Sequence, residues 1–454
     1  MPGILRTVTL GCKVNQYETE YVRQGLLRAG FRDAERDESA DLCVVNTCTV
    51  TVEGDAKSRQ TIRQLAKHNP RARIVVMGCY ATRAAEEVAR LPGVAEVVTD
   101  KRELPDLLGR FGVVDIPSGI STFANRQRAY VKVQDGCLLR CSFCIIPQIR
   151  PHFASRPPQE IVDEVSRLVA DGFREIVLTG IHLGHYGVEQ NRGRAKSEWL
   201  RLASLVERIA KGLTGGRPQR GEQAHFAPSA SQNEPVRGPR SGAEFRLRLS
   251  SIEATEVTRE LLAVMAAWPQ RICPHLHVSM QSGSEAILRR MRRRWGPKRF
   301  LDRCRLAQSM LDAPALTTDI IVGFPGETEA DFQATCDLAR EVGFSKLHIF
   351  PFSARPGTAA AAMVGQVPPE VKAERCRRLA GLEVELRDRY FRQLIGRRLQ
   401  VLVESPVPER PGQMIGTACR YAPVELVGTP AQRRQFREVV ASEVRGDRII
   451  GVAG

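Results

Sequence analysis

YVKVQDGCLLRCSFC, residues 130–144, joins a short β-branched run to three cysteines, Cys137, Cys141 and Cys144, spaced Cys-x3-Cys-x2-Cys. The run Tyr130–Gln134 reads as a strand, and the cysteines follow at its carboxyl end. A structural zinc site is closed by four ligands. A cubane iron–sulfur cluster is normally held by four thiolates. Three thiolates leave one metal position open, and an open position is where a substrate or cosubstrate binds.

Five more strand-type runs lie downstream: EIVLTG (175–180), RLRLSS (246–251), HLHVSM (275–280), TTDIIVGF (317–324) and KLHIFPF (346–352). Helical patterns such as PQEIVDEVSRLVADG and EADFQATCDLAREVG accompany them. Six β/α units predict a partial barrel with its chemistry at the carboxyl ends of the strands. Thr179 and Gly180, Ser251 and Glu253, and Gln281 and Ser282 end the second, third and fourth runs. They are candidates to touch a ligand on that rim, Gly180 by admitting a close backbone approach. His182, His185, His275 and His277 also lie near strand ends and read as structural. Residues 212–243, between the second and third runs, are rich in Gly, Pro, Ser, Gln and Arg. So few apolar side chains cannot offset the ordering entropy, and the segment reads as a disordered surface insertion.

Upstream, one design occurs three times. RTVTLGC ends at Cys12, ADLCVVNTC at Cys48 and ARIVVMGC at Cys79, each followed by a helical pattern. Strand alternating with helix predicts a parallel sheet, whose ligands gather beyond the carboxyl ends of its strands. The three cysteines therefore converge on one rim, whereas Cys43 lies inside its strand and reads as packing. After about residue 393, RRLQVLVES, QMIGTAC, PVELVGT and DRIIGVAG suggest a small antiparallel β-barrel. The predicted fold class is α/β, divided into an N-terminal parallel α/β domain (1–122), a central partial (β/α)6 barrel (123–392) and the C-terminal β-barrel (393–454).

Composition sets the class of partner. The 454 residues carry 67 Lys plus Arg against 51 Asp plus Glu, a net charge of +16, which favours a polyanion such as RNA. The densest basic run, RRMRRRWGPKR, contains Arg289, Arg290, Arg292, Arg293, Arg294, Lys298 and Arg299. It is either a solvated helix face or a phosphate track. Arg397 and Arg398 offer similar contacts in the last domain. No run approaches the roughly 18 apolar residues of a membrane span, and the N-terminus lacks a signal-peptide pattern, so a cytoplasmic protein is expected. Twelve cysteines then point to metal or redox chemistry rather than disulfides.

The cysteine triplet resembles that of the radical S-adenosylmethionine (SAM) enzymes, and Phe143 matches the aromatic residue common there. TLGCKVNQYETE, VVNTCTV and VVMGCYA resemble the N-terminal domain of the methylthiotransferases within that family. VLTGIHLGHYG, RLSSIEATEVT, SMQSGSEAILRRMRR, TTDIIVGFPGETEADF and FPFSARPGT extend the likeness along the barrel, and the C-terminal segment resembles an RNA-binding TRAM domain. GCKVNQYE is similar to the branch acting on N6-threonylcarbamoyladenosine next to the anticodon of tRNA.

The resemblance implies two [4Fe-4S] clusters. Cys137, Cys141 and Cys144 would hold the one that cleaves SAM, with Phe143, Thr179, Gly180, Ser251, Glu253, Gln281 and Ser282 around the cosubstrate. Cys12, Cys48 and Cys79 would hold an auxiliary cluster that carries the sulfur. It further implies a monomer that binds the tRNA anticodon stem-loop and takes electrons from a donor such as flavodoxin or ferredoxin. The alternatives are the same chemistry on isopentenyladenosine in tRNA or on a ribosomal-protein aspartate and, in another class, a non-catalytic iron–sulfur or zinc protein that binds RNA.

Overall fold

The computed structural model describes residues 3–115, 118–124, 126–212 and 244–454. The insertion expected at 212–243 lies outside the described residues, except for Gly212, which closes the helix Leu202–Gly212.

The N-terminal sheet contains β1 (Ile4–Thr9), β2 (Leu42–Thr47), β3 (Arg73–Gly78) and β4 (Val94–Val97), all parallel, with a two-residue edge strand at Arg32–Asp33. Every residue of β2 is buried, as an inner strand covered on both faces requires. Helix α1 (Lys13–Arg28) follows β1, and α2 (Val52–His68) follows β2. Thr51 caps α2 by accepting the Gly54 N–H at 3.0 Å, which satisfies one free donor of the first turn.

The predicted barrel strands all form: β5 (Arg128–Asp135), β6 (Glu175–Gly180), β7 (Arg246–Leu249), β8 (His275–Val278), β9 (Ala315–Val322) and β10 (Lys346–Pro351). They pair in parallel in two groups, and a parallel bridge from Leu247 to Ile272 continues the curve between them. Helices such as Pro158–Ala170 and Glu329–Val342 pack their apolar faces on the outside.

The C-terminal strands β11 (Arg398–Pro406), β12 (Gln413–Ala418), β13 (Pro423–Val427), β14 (Phe436–Arg445) and β15 (Arg448–Ala453) close into a barrel. One pairing departs from the antiparallel expectation, since β13 and β15 run parallel. The amino ends of β5, β6 and β7 sit on this barrel. There Glu175 is buried against Arg246, Arg248 and Arg128, and the guanidinium groups of Arg246 and Arg248 donate to the carbonyls of Gln400, Thr417, Ala418 and Cys419. Among the described residues no helix is long and apolar enough to cross a membrane.

Candidate active site

The strand register brings the N-terminal cysteines to one place. Thr9 stands opposite Asn46 and Thr47 opposite Gly78, so Cys12, Cys48 and Cys79 leave the sheet at nearly the same level. Two glycines make the turns possible. Gly11 (φ +96°) lies where a Cβ would sit 3.1 Å from Cys48 Sγ, and Gly78 (φ +102°) where it would strike Thr47 and Asn46 at 2.4 Å. Asn15, buried in the first turn of α1, joins the group. Its Nδ2 donates to the carbonyls of Leu10 at 2.9 Å and Thr47 at 3.0 Å. Its Oδ1 lies 3.9 Å from Cys12 Sγ and 4.0 Å from Cys79 Sγ. Cys12 is exposed, Cys48 half-buried and Cys79 buried, so the trio runs from the cleft inward. Cys43 is fully buried, as its place in β2 predicted.

Cys137, Cys141 and Cys144 lie on the loop after β5, and the basic run holds that loop. Ser142 donates through its N–H to the Met291 carbonyl at 3.1 Å and through its hydroxyl to the Arg290 carbonyl at 2.8 Å. Leu139 N–H points at Cys137 Sγ at 3.4 Å, and Arg293 Nη1 at Cys141 Sγ at the same distance. Nδ1 of the buried His182 is 3.5 Å from Cys137 Sγ. Burial pushes the Cys144 thiol up to about 12, and that of Cys141 upward too. The bare Cys141 and Cys144 thiols hold their protons at neutral pH, and a metal ligated by the sulfurs would displace them.

The two trios meet. Ile145 and Ile149, just after Cys144, pack against Cys79. The next residue, Arg150, is buried and donates to Glu18 at 2.8 and 2.9 Å, to Asp135 at 2.9 Å and to Asn15 Oδ1 at 3.0 Å. Lys132 binds Glu18 at 2.8 Å and also contacts Asp135. Burial alone would raise the Glu18 carboxyl, but Arg150 and Lys132 overcome it and hold the group below the usual carboxylate range. Lys101 Nζ is enclosed beside this network without a hydrogen bond among the described residues. A cavity of about 730 Å3 lies alongside, lined by Tyr17, Lys101, Gln134, Asp135, Arg150 and Arg156 among others, with none of the six cysteines in its wall.

The other sequence candidates divide. Ser251 is exposed at its strand end, and Gln281 is half-exposed with φ +64°. Phe143 is half-buried against the barrel core. Gly180 is close-packed for a reason internal to the protein, since a Cβ there would lie 3.1 Å from Gln134 Oε1. Thr179 is buried. Ser282, expected on the rim, is fully buried with its hydroxyl 3.3 Å from that of Thr335, so it packs a turn instead of facing a ligand. Glu253 contacts Arg293 and accepts from Trp295 Nε1 at 3.1 Å. Arg293 is thereby the exception in the basic run. Its side chain is 3% exposed, so it serves the cysteine loop and not a surface phosphate track. Arg289, Arg290, Arg292, Arg294, Lys298 and Arg299 are exposed. Arg398 is exposed as well, and Arg397 pairs with Asp312 at 2.8 Å.

Sequence reasoning missed Arg150, Asn15 and His182. Asn15 and Arg150 carry no signal beyond their nearness to cysteines. His182 reads as structural in the sequence, yet it contacts Cys137 and Glu256 and stacks on His185 at 3.6 Å between ring centroids.

Residues 5–100 match the uncharacterized protein family UPF0004, and residues 131–339 match the radical SAM superfamily. The chain is 36% identical over 441 residues to threonylcarbamoyladenosine tRNA methylthiotransferase MtaB of Bacillus subtilis, covering 93% of this chain and 90% of that protein. This chain belongs to the radical SAM methylthiotransferases. Another member, tRNA-2-methylthio-N(6)-dimethylallyladenosine synthase of Acidothermus cellulolyticus, is 33% identical over 421 residues, covering 88% of this chain and 78% of that protein. The fold is similar to that of the radical SAM methyltransferase TsrM from Kitasatospora setae, with a TM-score of 0.53, 13% identity, and coverage of 76% of this chain and 72% of that one.

A radical SAM methylthiotransferase uses SAM and a [4Fe-4S] cluster, and Cys137, Cys141 and Cys144 suit the cluster. Three thiols with N–H groups aimed at their sulfurs are a donor set for anionic thiolates. Their spacing is also telling. Among the described residues, the one set of three metal-capable side chains with ligand atoms within 4.8 Å of one another is His182, His185 and Glu256. The sulfurs of each cysteine trio are spread wider than that. One tetrahedral zinc, with bonds of about 2.3 Å, would draw sulfurs to about 3.8 Å apart; a multi-iron cluster spans more.

Proposed function

We propose that this enzyme adds a methylthio group to C2 of N6-threonylcarbamoyladenosine, next to the anticodon of tRNA, with two [4Fe-4S] clusters. The observation that carries the reading is the meeting of two open cysteine trios through Ile145, Ile149 and Arg150. The printed activity of the Bacillus subtilis relative supports the nucleoside, as does the stretch GCKVNQYE.

The target carbon explains the need for two sites. An aromatic C–H offers no proton that a side-chain base could remove at a useful rate, and general acid–base catalysis contributes only about 10²–10⁴-fold. The cluster at Cys137, Cys141 and Cys144, when bound, supplies the electron that splits SAM into methionine and a 5′-deoxyadenosyl radical. The protein's part is positioning. Arg293 and Leu139 orient the sulfurs of the first trio, while Ser251, Glu253, Gln281, Thr179, Gly180 and Phe143 line its surroundings. Cys12, Cys48 and Cys79 hold the second, sulfur-carrying cluster. The enclosed Lys101 ammonium and the Arg150 guanidinium face that site, where an anionic group would offset them.

The division into residues 1–122, 123–392 and 393–454 assigns sulfur delivery, radical generation and RNA docking to successive domains. The exposed arginines of 289–299, with Arg397 and Arg398, contact the stem-loop backbone. The enzyme works as a cytoplasmic monomer supplied by a flavodoxin- or ferredoxin-type donor.

Iron and sulfide analysis after anaerobic reconstitution tests the cofactor set. Two cubanes give about eight irons per chain, and zinc or about four irons would refute the assignment. Nucleoside mass spectrometry of tRNA from cells lacking the gene tests the substrate. Threonylcarbamoyladenosine should lose its methylthio form; a change confined to isopentenyladenosine would assign the sister activity instead.

A further inference from the structure

Another cavity, of about 520 Å3, lies on the carboxyl rim of the central barrel, walled by the segments that follow β6 and β7. Gly184, Tyr186, Val188, Trp199, Thr255 and Glu256 are among its lining residues. Its size falls in the usual range for a ligand site, about 300–1,000 Å3. It also adjoins the cysteine loop. Glu256 in its wall contacts His182 Nε2, and His182 Nδ1 is 3.5 Å from Cys137 Sγ. Two side chains therefore separate this cavity from the first trio.

Two large apolar groups of the wall are open to solvent. Trp199 is 37% exposed and Val188 45%, and exposed apolar surface rimmed by polar residues marks an interaction site. The indole is held in place. Its Nε1 donates to the Arg194 carbonyl at 3.1 Å. Asn191 clasps the next residue, accepting the Leu200 N–H at 2.6 Å and donating to the Leu200 carbonyl at 2.8 Å. The Arg201 guanidinium lies over the ring at 5.3 Å and is fixed by Glu260 at 2.7 Å. A ring tied down in this way loses little freedom when a partner stacks on it.

Charge completes the pattern. Arg192, also in the wall, and Arg194 and Lys196 on the same loop are exposed, and their side chains make no hydrogen bond or ion pair among the described residues. Glu198 is the one acidic residue between Arg192 and Arg201. An aromatic surface beside free cations suits a single-stranded nucleic acid, whose bases stack on rings and whose phosphates take the positive charge.

We propose that this cavity receives an unpaired nucleobase of the anticodon loop, a neighbour of the target adenosine, which stacks on Trp199 while Arg192, Arg194 and Lys196 hold the adjoining phosphates. The inference rests on the tRNA reading above. It gives the loop a fixed point close to the first trio, so that the target base enters the cleft in one register.

The test measures, by fluorescence anisotropy, the binding of labelled anticodon stem-loops to anaerobically reconstituted holoenzyme. Each loop nucleotide in turn is replaced by an abasic residue. In the natural enzyme, one abasic position near the target adenosine should weaken binding about ten- to hundredfold, the loss of one stacked base. Trp199→Ala should weaken binding of the intact loop by a similar factor and lose nothing further at that position, with the iron content unchanged. Trp199→Phe should keep most of the affinity. A Trp199→Ala enzyme that binds the intact loop normally overturns the proposal, and so do losses that multiply at every abasic position. Loss of iron in Trp199→Ala would place the indole in the service of the fold and overturns it too. Normal RNA binding with turnover lost on reduced flavodoxin, but not on dithionite, would hand the surface to the electron donor instead. Natural enzyme that binds none of these loops would refute the tRNA reading itself, a result distinct from failure at Trp199 alone.

Discussion

The two ends of the central barrel use the same currency, buried arginine against buried carboxylate, and finish it differently. At the amino end, Glu175 meets Arg246, Arg248 and Arg128, and the leftover N–H groups reach carbonyls of the C-terminal barrel. No buried polar atom of those four side chains lacks a partner. At the carboxyl end, Arg150 and Arg293 also meet carboxylates, yet among the described residues Nε of each finds no hydrogen-bond partner, and neither does Lys101 Nζ. A saturated network fixes one arrangement and has nothing left to bind. An unsaturated one, beside six cysteines, retains capacity for a further group.

The contrast can be broken experimentally. The largest effect belongs to the carboxyl end. Cys141→Ala should abolish SAM cleavage, measured as 5′-deoxyadenosine release under reductant, and should lower the iron content by about four per chain. Its urea unfolding midpoint, measured on metal-free protein, should barely move. Release of 5′-deoxyadenosine at the natural rate would remove this trio from the chemistry. The opposite pattern is expected at the amino end. Glu175→Ala strands the buried guanidinium groups of Arg246 and Arg248 and should cost about 3–5 kcal/mol in the same unfolding experiment, while protein that remains folded still cleaves SAM.

A smaller effect follows from acid. Burial alone would raise the Glu175 carboxyl, but Arg248, Arg246 and Arg128 hold it below the ordinary range. A folded pKa below the unfolded value of about 4.3 means that stability is complete above that pH and falls as the solution becomes more acid. Glu175→Gln should flatten this decline by up to one proton in the slope of stability against pH. An unchanged slope would show that Glu175 is not the group that titrates. The smallest effect lies outside both networks. Arg289 is exposed, and its pairing with Glu285 at 3.7 Å is a surface contact worth little. Arg289→Ser should leave stability within about 0.5 kcal/mol and reduce the salt dependence of tRNA binding by about one phosphate contact. An unaltered salt slope would take this residue off the RNA path.

Much of the site was legible because it repeats. A strand-type run followed by Gly-Cys occurs at Cys12, Cys79 and Cys137, and backbone geometry dictates that such cysteines leave a parallel sheet at its carboxyl rim. Arg293 shows where pattern reading fails. In sequence it is one arginine in a basic cluster, and no periodicity marks it as the one turned inward to Cys141 and Glu253. Ser282 fails in the opposite sense, since a strand-end position says nothing about which way a hydroxyl turns. His182 reads as structural in the sequence because its contact with Cys137 spans 45 positions of the chain.

The order of strands and helices, the two cysteine trios and the excess of positive charge can be read from the chain of residues, because these follow from local periodicity, spacing and composition. Folding brings the two trios together and sets Arg150 in the space between them. Those facts depend on which distant carboxylates and carbonyls each cation meets once the chain is folded, and no local pattern encodes that pairing.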